Sequence, residues 1–407
     1  MAYTVTAADL EPLLLGGTFF GSGGGGTVTS ARHLVSYFRQ GSPYYQKHSF
    51  EVVSIEEVTE GETVMVAYMG APEAINSTCF PVGPVKAAER VQQALAKEGR
   101  QLRYVVSPES GALGFIVAGL VAAKLGLKVI DADGAGRAVP SLPMLTYAAA
   151  EISPRPTFLV SQDGLEVELN VTPRADKDGG RFHQQDVSTI VEQMLRPILA
   201  EQDFGQFGGL AMWVMKPEQL AAALPIRGTL TRALKFGRAL QAGQLHSAEA
   251  VIDHLETHCG ISAKRVAEPG EIISVDLDTA GGFDVGRVRL KSARTDYTIV
   301  YQNESLLVWD SEQAHPVTIA PDSISYFVEG DKQAVYSNGD LVSSDGRLNP
   351  NIKGRTVSLL AWEADAALSQ PNGLILDSFA ELLAKMGYLG PYMPLSTLDQ
   401  ITKGMKA

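Results

Sequence analysis

Between Phe50 and Asp131, short runs rich in Val, Ile and Met alternate with longer segments of helical period. The short runs are Phe50 to Ile55, Thr63 to Met69, Arg103 to Ser107 and Lys128 to Asp131. Between the later ones lie Val85 to Glu98 and a long apolar segment that opens at Glu109-Ser-Gly-Ala-Leu-Gly114 and ends at Leu125. A strand that is apolar throughout has both faces covered, which is the situation of a parallel sheet between helical layers. Residues 1 to 155 are therefore expected to form an N-terminal α/β layered domain with a largely parallel sheet.

The texture then shifts, and 156–407 is expected to form a C-terminal domain. Residues 156–270 read as mixed α+β: strands at Thr157 to Val160 and Leu165 to Val171 joined by the hairpin signal Gln162-Asp-Gly164, then mainly helices. Residues 271–355 carry short β-branched runs separated by turns, the pattern of a small β-rich barrel or sandwich. A strand at Thr356 to Ala361 and a helix at Leu374 to Met386 occupy 356–407, where the chain is free to return to an α/β layer.

Four glycines, Gly23, Gly24, Gly25 and Gly26, stand directly before a helical segment, Thr27 to Arg39. Glycine lets a ligand approach the main chain, and a helix start offers unpaired N–H groups that suit an anion. The run is expected to face a ligand, against the plainer alternative of an unliganded loop. Gly21, Gly23 and Gly26 have dinucleotide spacing, but a run of glycines matches almost any glycine pattern. With no clear strand before it, NAD is not favoured.

A second constellation, Asp131-Ala-Asp133-Gly-Ala-Gly136-Arg137, stands where a buried strand leaves the sheet. Ligands of open α/β sheets bind at such ends. Asp131 and Asp133 are candidates for a general base or for ligands of a divalent metal. Arg137 suits a two-pronged grip on a carboxylate, against the alternative of an internal Asp–Arg pair. Glu109 either faces the same cleft or caps its helix. Cys79, on the loop after a strand, is placed as a cleft residue or thiolate nucleophile, against the commoner role of a small apolar side chain. His254 and His258, one helical turn apart next to Cys259, read as a solvated helix end rather than a metal site.

The chain has 407 residues and a net charge of −12, which disfavours nucleic acid or an anionic membrane as partner. Two cysteines make no disulfide framework and fit a reducing compartment. The opening residues lack a signal peptide's pattern and no apolar stretch reaches membrane-spanning length, so a cytoplasmic location is expected. A small-molecule partner is expected, and a homo-oligomer is compatible with these features.

With Gly21-Ser-Gly-Gly-Gly-Gly26, the Glu109 helix start and above all Asp131-Ala-Asp-Gly-Ala-Gly-Arg-Ala-Val-Pro140, the sequence resembles the S-methyl thiohydantoin desulfurase-like family. Gly228-Thr-Leu-Thr-Arg-Ala233 with Gly237, Gln302-Asn-Glu-Ser-Leu306 and Pro321-Asp322 extend the match over most of the chain. The resemblance implies an α/β domain followed by a domain with much β structure. It implies hydrolysis of a heterocyclic S-methyl isothiourea to a hydantoin with release of methanethiol, in proteins often found beside hydantoinase-type enzymes. On that view Asp131 or Asp133 activates water, directly or through a divalent metal, and Glu109 donates a proton. Arg137 and the amides of Gly23 to Gly26 hold an acidic substituent or developing charge. The alternative is a non-catalytic metabolite-binding or partner subunit associated with hydantoin metabolism.

Overall fold

The computed structural model describes residues 2–38, 42, 44–70, 82–172, 183–280, 283–313, 315–331, 333–343 and 346–406. Strand β1 (Tyr3–Thr6) leads into helices α1 (Leu10–Phe20) and α2 (Val28–Ser36). Next come β2 (Ser49–Val53), β3 (Glu62–Gly70), α3 (Val82–Lys97), β4 (Leu102–Ser107), α4 (Ala112–Leu125) and β5 (Lys128–Asp133). A short α5 (Thr146–Ala149) precedes the hairpin β6 (Thr157–Ser161) and β7 (Glu166–Leu169). Then follow α6 (Gln184–Ala200), β8 (Phe207–Met215), α7 (Leu220–Ala223), β9 (Ile226–Arg227), α8 (Thr229–Gln241) and α9 (Ala248–Cys259).

These strands make a nine-stranded mixed sheet in the order β1-β2-β5-β4-β3-β8-β6-β7, with β9 beside β5. Its centre, β2-β5-β4-β3, is parallel, as the apolar strands predict. Successive residues of one strand feed two cores. Val64 and Val66 pack with α1, α3, α4 and α8, whereas Met65, Ala67 and Met69 pack on the opposite face with α5 and α6. Helix α4 is buried almost all round, and Gly126 in the left-handed region (φ +70°) ends it.

The remaining strands are β10 (Lys264–Arg265), β11 (Gly270–Ala280), β12 (Phe283–Ser292), β13 (Asp296–Gln302), β14 (Glu304–Asp310), β15 (Pro316–Ile319), β16 (Ser323–Val328), β17 (Val335–Tyr336) and β18 (Val357–Trp362). They form an antiparallel sheet in the order β15-β14-β13-β12-β11-β18-β16-β17, with β10 beside β18. Inward residues such as Val288, Ile299, Val308 and Leu359 form its core. Helices α10 (Ala366–Ser369), α11 (Leu374–Lys385) and α12 (Leu395–Lys406) close the chain. The protein thus has an N-terminal α/β domain and a C-terminal antiparallel β-rich domain. No helix among the described residues is long and apolar enough to cross a membrane.

The segment before the glycines is a helix, α1, whose residues are buried except Glu11. The first sheet also draws β6 to β9 from beyond residue 155, because β8 pairs antiparallel with β3 along its whole length. Residues 357–362 lie within the second sheet rather than returning to the first, while α11 does return: its Phe379 packs in the core beneath the first sheet.

Candidate functional site

The two domains meet along the glycine run. The Ser305 amide donates to the Ser22 carbonyl at 2.8 Å, the Asn338 amide to the Gly23 carbonyl at 2.7 Å, and the Leu113 amide to the Gly25 carbonyl at 3.0 Å. The loop is therefore tied to both domains through its main chain. Gly24 approaches Glu304 so closely that a Cβ would stand 2.1 Å from Glu304 Oε1. Only glycine fits there without moving the carboxyl.

A cleft with a cavity volume of about 160 Å³ opens at this junction. Gly23 to Gly26 form one wall. Glu109 and Leu113 come from the β4–α4 turn and α4, Tyr68 from β3, Glu192 and Arg196 from α6, and Asp284, Tyr301 and Glu304 from the second sheet. Glu304 begins a mostly buried strand with an apolar centre, Leu306 to Val308, so the sheet carries its carboxyl inside. The Gly25 amide donates to it, while its Oε2 has no hydrogen-bond partner among the described residues. The Tyr68 hydroxyl is likewise buried and has no hydrogen-bond partner among the described residues.

Glu304 is pushed up to about 8 by burial, against the pull of Arg137 and the Gly25 amide. Glu109 is held well above the usual carboxylate range by burial and by the nearby charge of Glu304. Its Oε2 accepts from the Val139 amide at 2.8 Å, and it makes no cap on α4. Two carboxyls, one from each domain, thus share a desolvated cleft in which both are raised above the usual carboxylate range. Arg196 brings a cation to the cleft lining: it pairs with Glu192 at 2.7 Å, and its guanidinium stands 3.9 Å from the centre of the Phe283 ring.

The other predicted residues have different placements. Asp131 accepts from the Thr231 amide at 3.0 Å and hydroxyl at 2.5 Å, fastening the first turn of α8 to β5. Asp133 is fully buried. It accepts from Ser110 Oγ (2.6 Å) and from the amides of Ala135 (2.9 Å) and Gly136 (2.5 Å), shaping the turn after β5. Burial still raises its carboxyl above the ordinary value. Neither aspartate borders the cleft. With their oxygens occupied in this way they make a poor donor set for a divalent ion, and among the described residues no group of three or more His, Cys, Asp or Glu is placed to hold one.

Arg137 is also away from the cleft surface. It is buried, and its guanidinium donates to the carbonyls of Ala138 (2.9 Å), Pro321 (2.9 Å), Asp322 (2.6 Å) and Ser305 (2.9 Å). Burial lowers it to about 10, so it stays charged at neutrality; Glu304, Asp322 and Glu109 supply the opposing charge. The start of α2 does not await an anion. Its Val28 amide donates to the Asp340 carboxylate at 3.1 Å, and Thr27 caps Ser30 at 3.0 Å. Cys79 lies outside the described residues. Glu304, Glu192, Arg196 and Tyr68 are cleft residues that sequence reasoning missed. For Glu304 the available signal was a carboxylate just before the apolar run Leu306-Leu-Val-Trp309.

Fold and cleft together define a class of two-domain protein in which an α/β layer and an antiparallel β domain enclose a carboxyl-bearing pocket. Family models described as the S-Me-THD-like N-terminal and C-terminal domains match residues 8–171 and 185–391. The chain belongs to the S-Me-THD-like family, in agreement with the resemblance carried by Asp131 to Pro140. It is also similar to the crystal structure of a protein from Chromobacterium violaceum, with 56% identity over 97% of this chain and 100% of that one, at a TM-score of 0.88. No functionally curated protein matches the chain.

Proposed function

We propose that the cleft hydrolyses a small cyclic S-methyl isothiourea to the corresponding hydantoin, with Glu304 as general base and Glu109 as general acid. The observation that carries this reading is the pair of carboxyls, one from each domain, held above their ordinary range in one desolvated pocket. Environments that push two carboxyls to different extents divide acid from base work between them. Membership in the S-Me-THD-like family supports this choice of substrate class.

In the first step the ionised Glu304 takes one proton from water, and the remaining hydroxide bonds to ring C2. The C2=N electron pair moves to the ring nitrogen, which takes the proton of Glu109. In the second step the new hydroxyl returns its proton to Glu109, C2=O forms and the C–S bond breaks. The departing methanethiolate takes the proton held by Glu304. One water is consumed, one methanethiol is released, and both carboxyls regain their starting states. The Gly25 amide of the glycine wall donates to the base and steadies its ionised form. Arg196 is the cation assigned to an acidic substituent on the ring.

The test is methanethiol release from S-methyl thiohydantoin propionate by the full chain. Glu304→Gln and Glu109→Gln should each lower kcat by about 10²- to 10⁴-fold. For the wild type, kcat/KM should rise with pH as Glu304 loses its proton near 8, and Glu304→Gln should lack that limb. Unchanged turnover in both variants would remove the acid–base assignment. A wild type that binds the compound but releases no thiol would instead make the cleft a non-catalytic metabolite pocket.

A further inference from the structure

A second and larger cavity, of about 420 Å³, lies at another part of the domain junction. Ala135 to Arg137, the turn after Asp133, form one border, and Ile226, the end of α9, Ser323 and Trp362 form others. None of the side chains at its border takes part in the proposed hydrolysis.

Its charge is unbalanced within. Arg232, from the first turn of α8, stands with its guanidinium carbon 5.2 Å from the centre of the Phe20 ring. Its Nη2 lies beside Gly136, where a Cβ would be 3.9 Å away. Nε is buried and has no acceptor, and no carboxylate pairs with this guanidinium among the described residues. The other cations at the border are already engaged. Lys264 pairs with Asp399 at 2.9 Å, and Arg137 is consumed by main-chain carbonyls. A partly desolvated cation without a counter-charge is unfavourable unless something supplies one, and an aromatic face offsets only part of the cost.

Two hydroxyls border the same space, Ser262 and Ser323, and neither side chain makes a hydrogen bond among the described residues. A guanidinium with adjacent hydroxyls is the chemistry that recognises an oxyanion, and its planar fork matches a carboxylate. Charge at the edge narrows the class. Glu363 and Asp365 also border the cavity and are exposed, which sets negative charge against the approach of a multiply charged anion. We propose that this cavity is a second ligand site, separate from the cleft, that takes a small monocarboxylate through Arg232, Ser262 and Ser323.

Calorimetric titration of the full chain with acetate, succinate and inorganic phosphate tests this. Acetate should bind saturably, and more tightly than succinate or phosphate. Arg232→Met, which keeps an apolar stem over Phe20, should weaken acetate about tenfold or more. Arg232→Lys, which keeps the charge without the fork, should fall between. Glu304→Gln should bind acetate as the wild type does, which separates this site from the cleft whatever the outcome there. The proposal is overturned if the wild type shows no saturable acetate binding, or if Arg232→Met and Arg232→Lys both bind like wild type. Acetate binding lost in Glu304→Gln but kept in Arg232→Met also overturns it, as does phosphate binding tighter than acetate, which removes the monocarboxylate assignment. Melting curves for each variant show that the fold is intact before its affinity is read.

Discussion

A carboxyl buried beside another carboxyl keeps its proton to higher pH than it would in water, and that preference also reaches the fold. Glu304 titrates near 8 in the folded protein, above its ordinary 4.5. The sign follows from proton binding. Below the ordinary value both folded and unfolded chains hold the proton, and the contribution to stability is fully present. As pH rises from there through the folded value, the unfolded chain releases its proton first and the contribution is lost. Glu304→Gln is neutral at every pH and escapes that loss. It should therefore gain stability relative to wild type on going from about pH 4 to about pH 9, by an amount on the order of a few kcal/mol. Thermal melts at the two pH values check this, and a constant difference between the proteins would mean that Glu304 is not a buried titrating carboxyl. A variant that is more stable at high pH yet inactive would be the familiar cost of a strained working group.

At the scale of elements, the contact between α1 and α8 depends on small residues. A Cβ at Gly16 would stand 1.9 Å from the Ala233 carbonyl oxygen, and one at Gly237 would stand 1.7 Å from the Pro12 carbonyl oxygen. The two backbones touch at these positions, and Phe19 stacks on Phe236 alongside, with ring centres 4.3 Å apart. Gly→Ala within a helix ordinarily gains about 0.5–1 kcal/mol. Here Gly237→Ala should instead lose about 1–3 kcal/mol through overpacking, seen as a lower urea midpoint; a gain would show that the helices can part without cost. Helix α8 was legible because its apolar residues recur at helical period, and the β-rich second domain because its strands are short and separated by turns. Helix α1 was not. Its Leu13-Leu14-Leu15-Gly16-Gly17 is buried on all sides, so no amphipathic stripe exists to read. Its glycines, weak helix formers, are explained only by a partner helix more than two hundred residues away in the chain.

Across the whole molecule, the site was legible in proportion to how locally it is built. The glycine wall and Glu109 stand out because a loop before a helix and a carboxylate after a strand are local patterns. Glu304 becomes a raised, buried carboxyl only when the second domain docks, and no local pattern reports that. Arg137 shows the same limit from the other side. Its place at a strand end was readable, but its acceptors are main-chain carbonyls, which leave no trace in residue identity. Three of them, from Ser305, Pro321 and Asp322, belong to the second domain, so this guanidinium is a fastening between domains rather than a grip on substrate. Arg137→Lys keeps the charge but not the planar fork, and one ammonium cannot reach all four carbonyls. Each buried carbonyl left without a donor costs about 1–3 kcal/mol. The variant should lose about 3 kcal/mol or more, and loosened docking should also lower the proposed methanethiol release, which on that proposal needs Glu109 and Glu304 together. Denaturant unfolding followed by tryptophan fluorescence checks it, since Trp213 reports the first domain and Trp362 the strand β18 of the second. If Arg137→Lys unfolds like wild type and only KM rises, Arg137 holds substrate after all, and the fastening between the domains lies elsewhere.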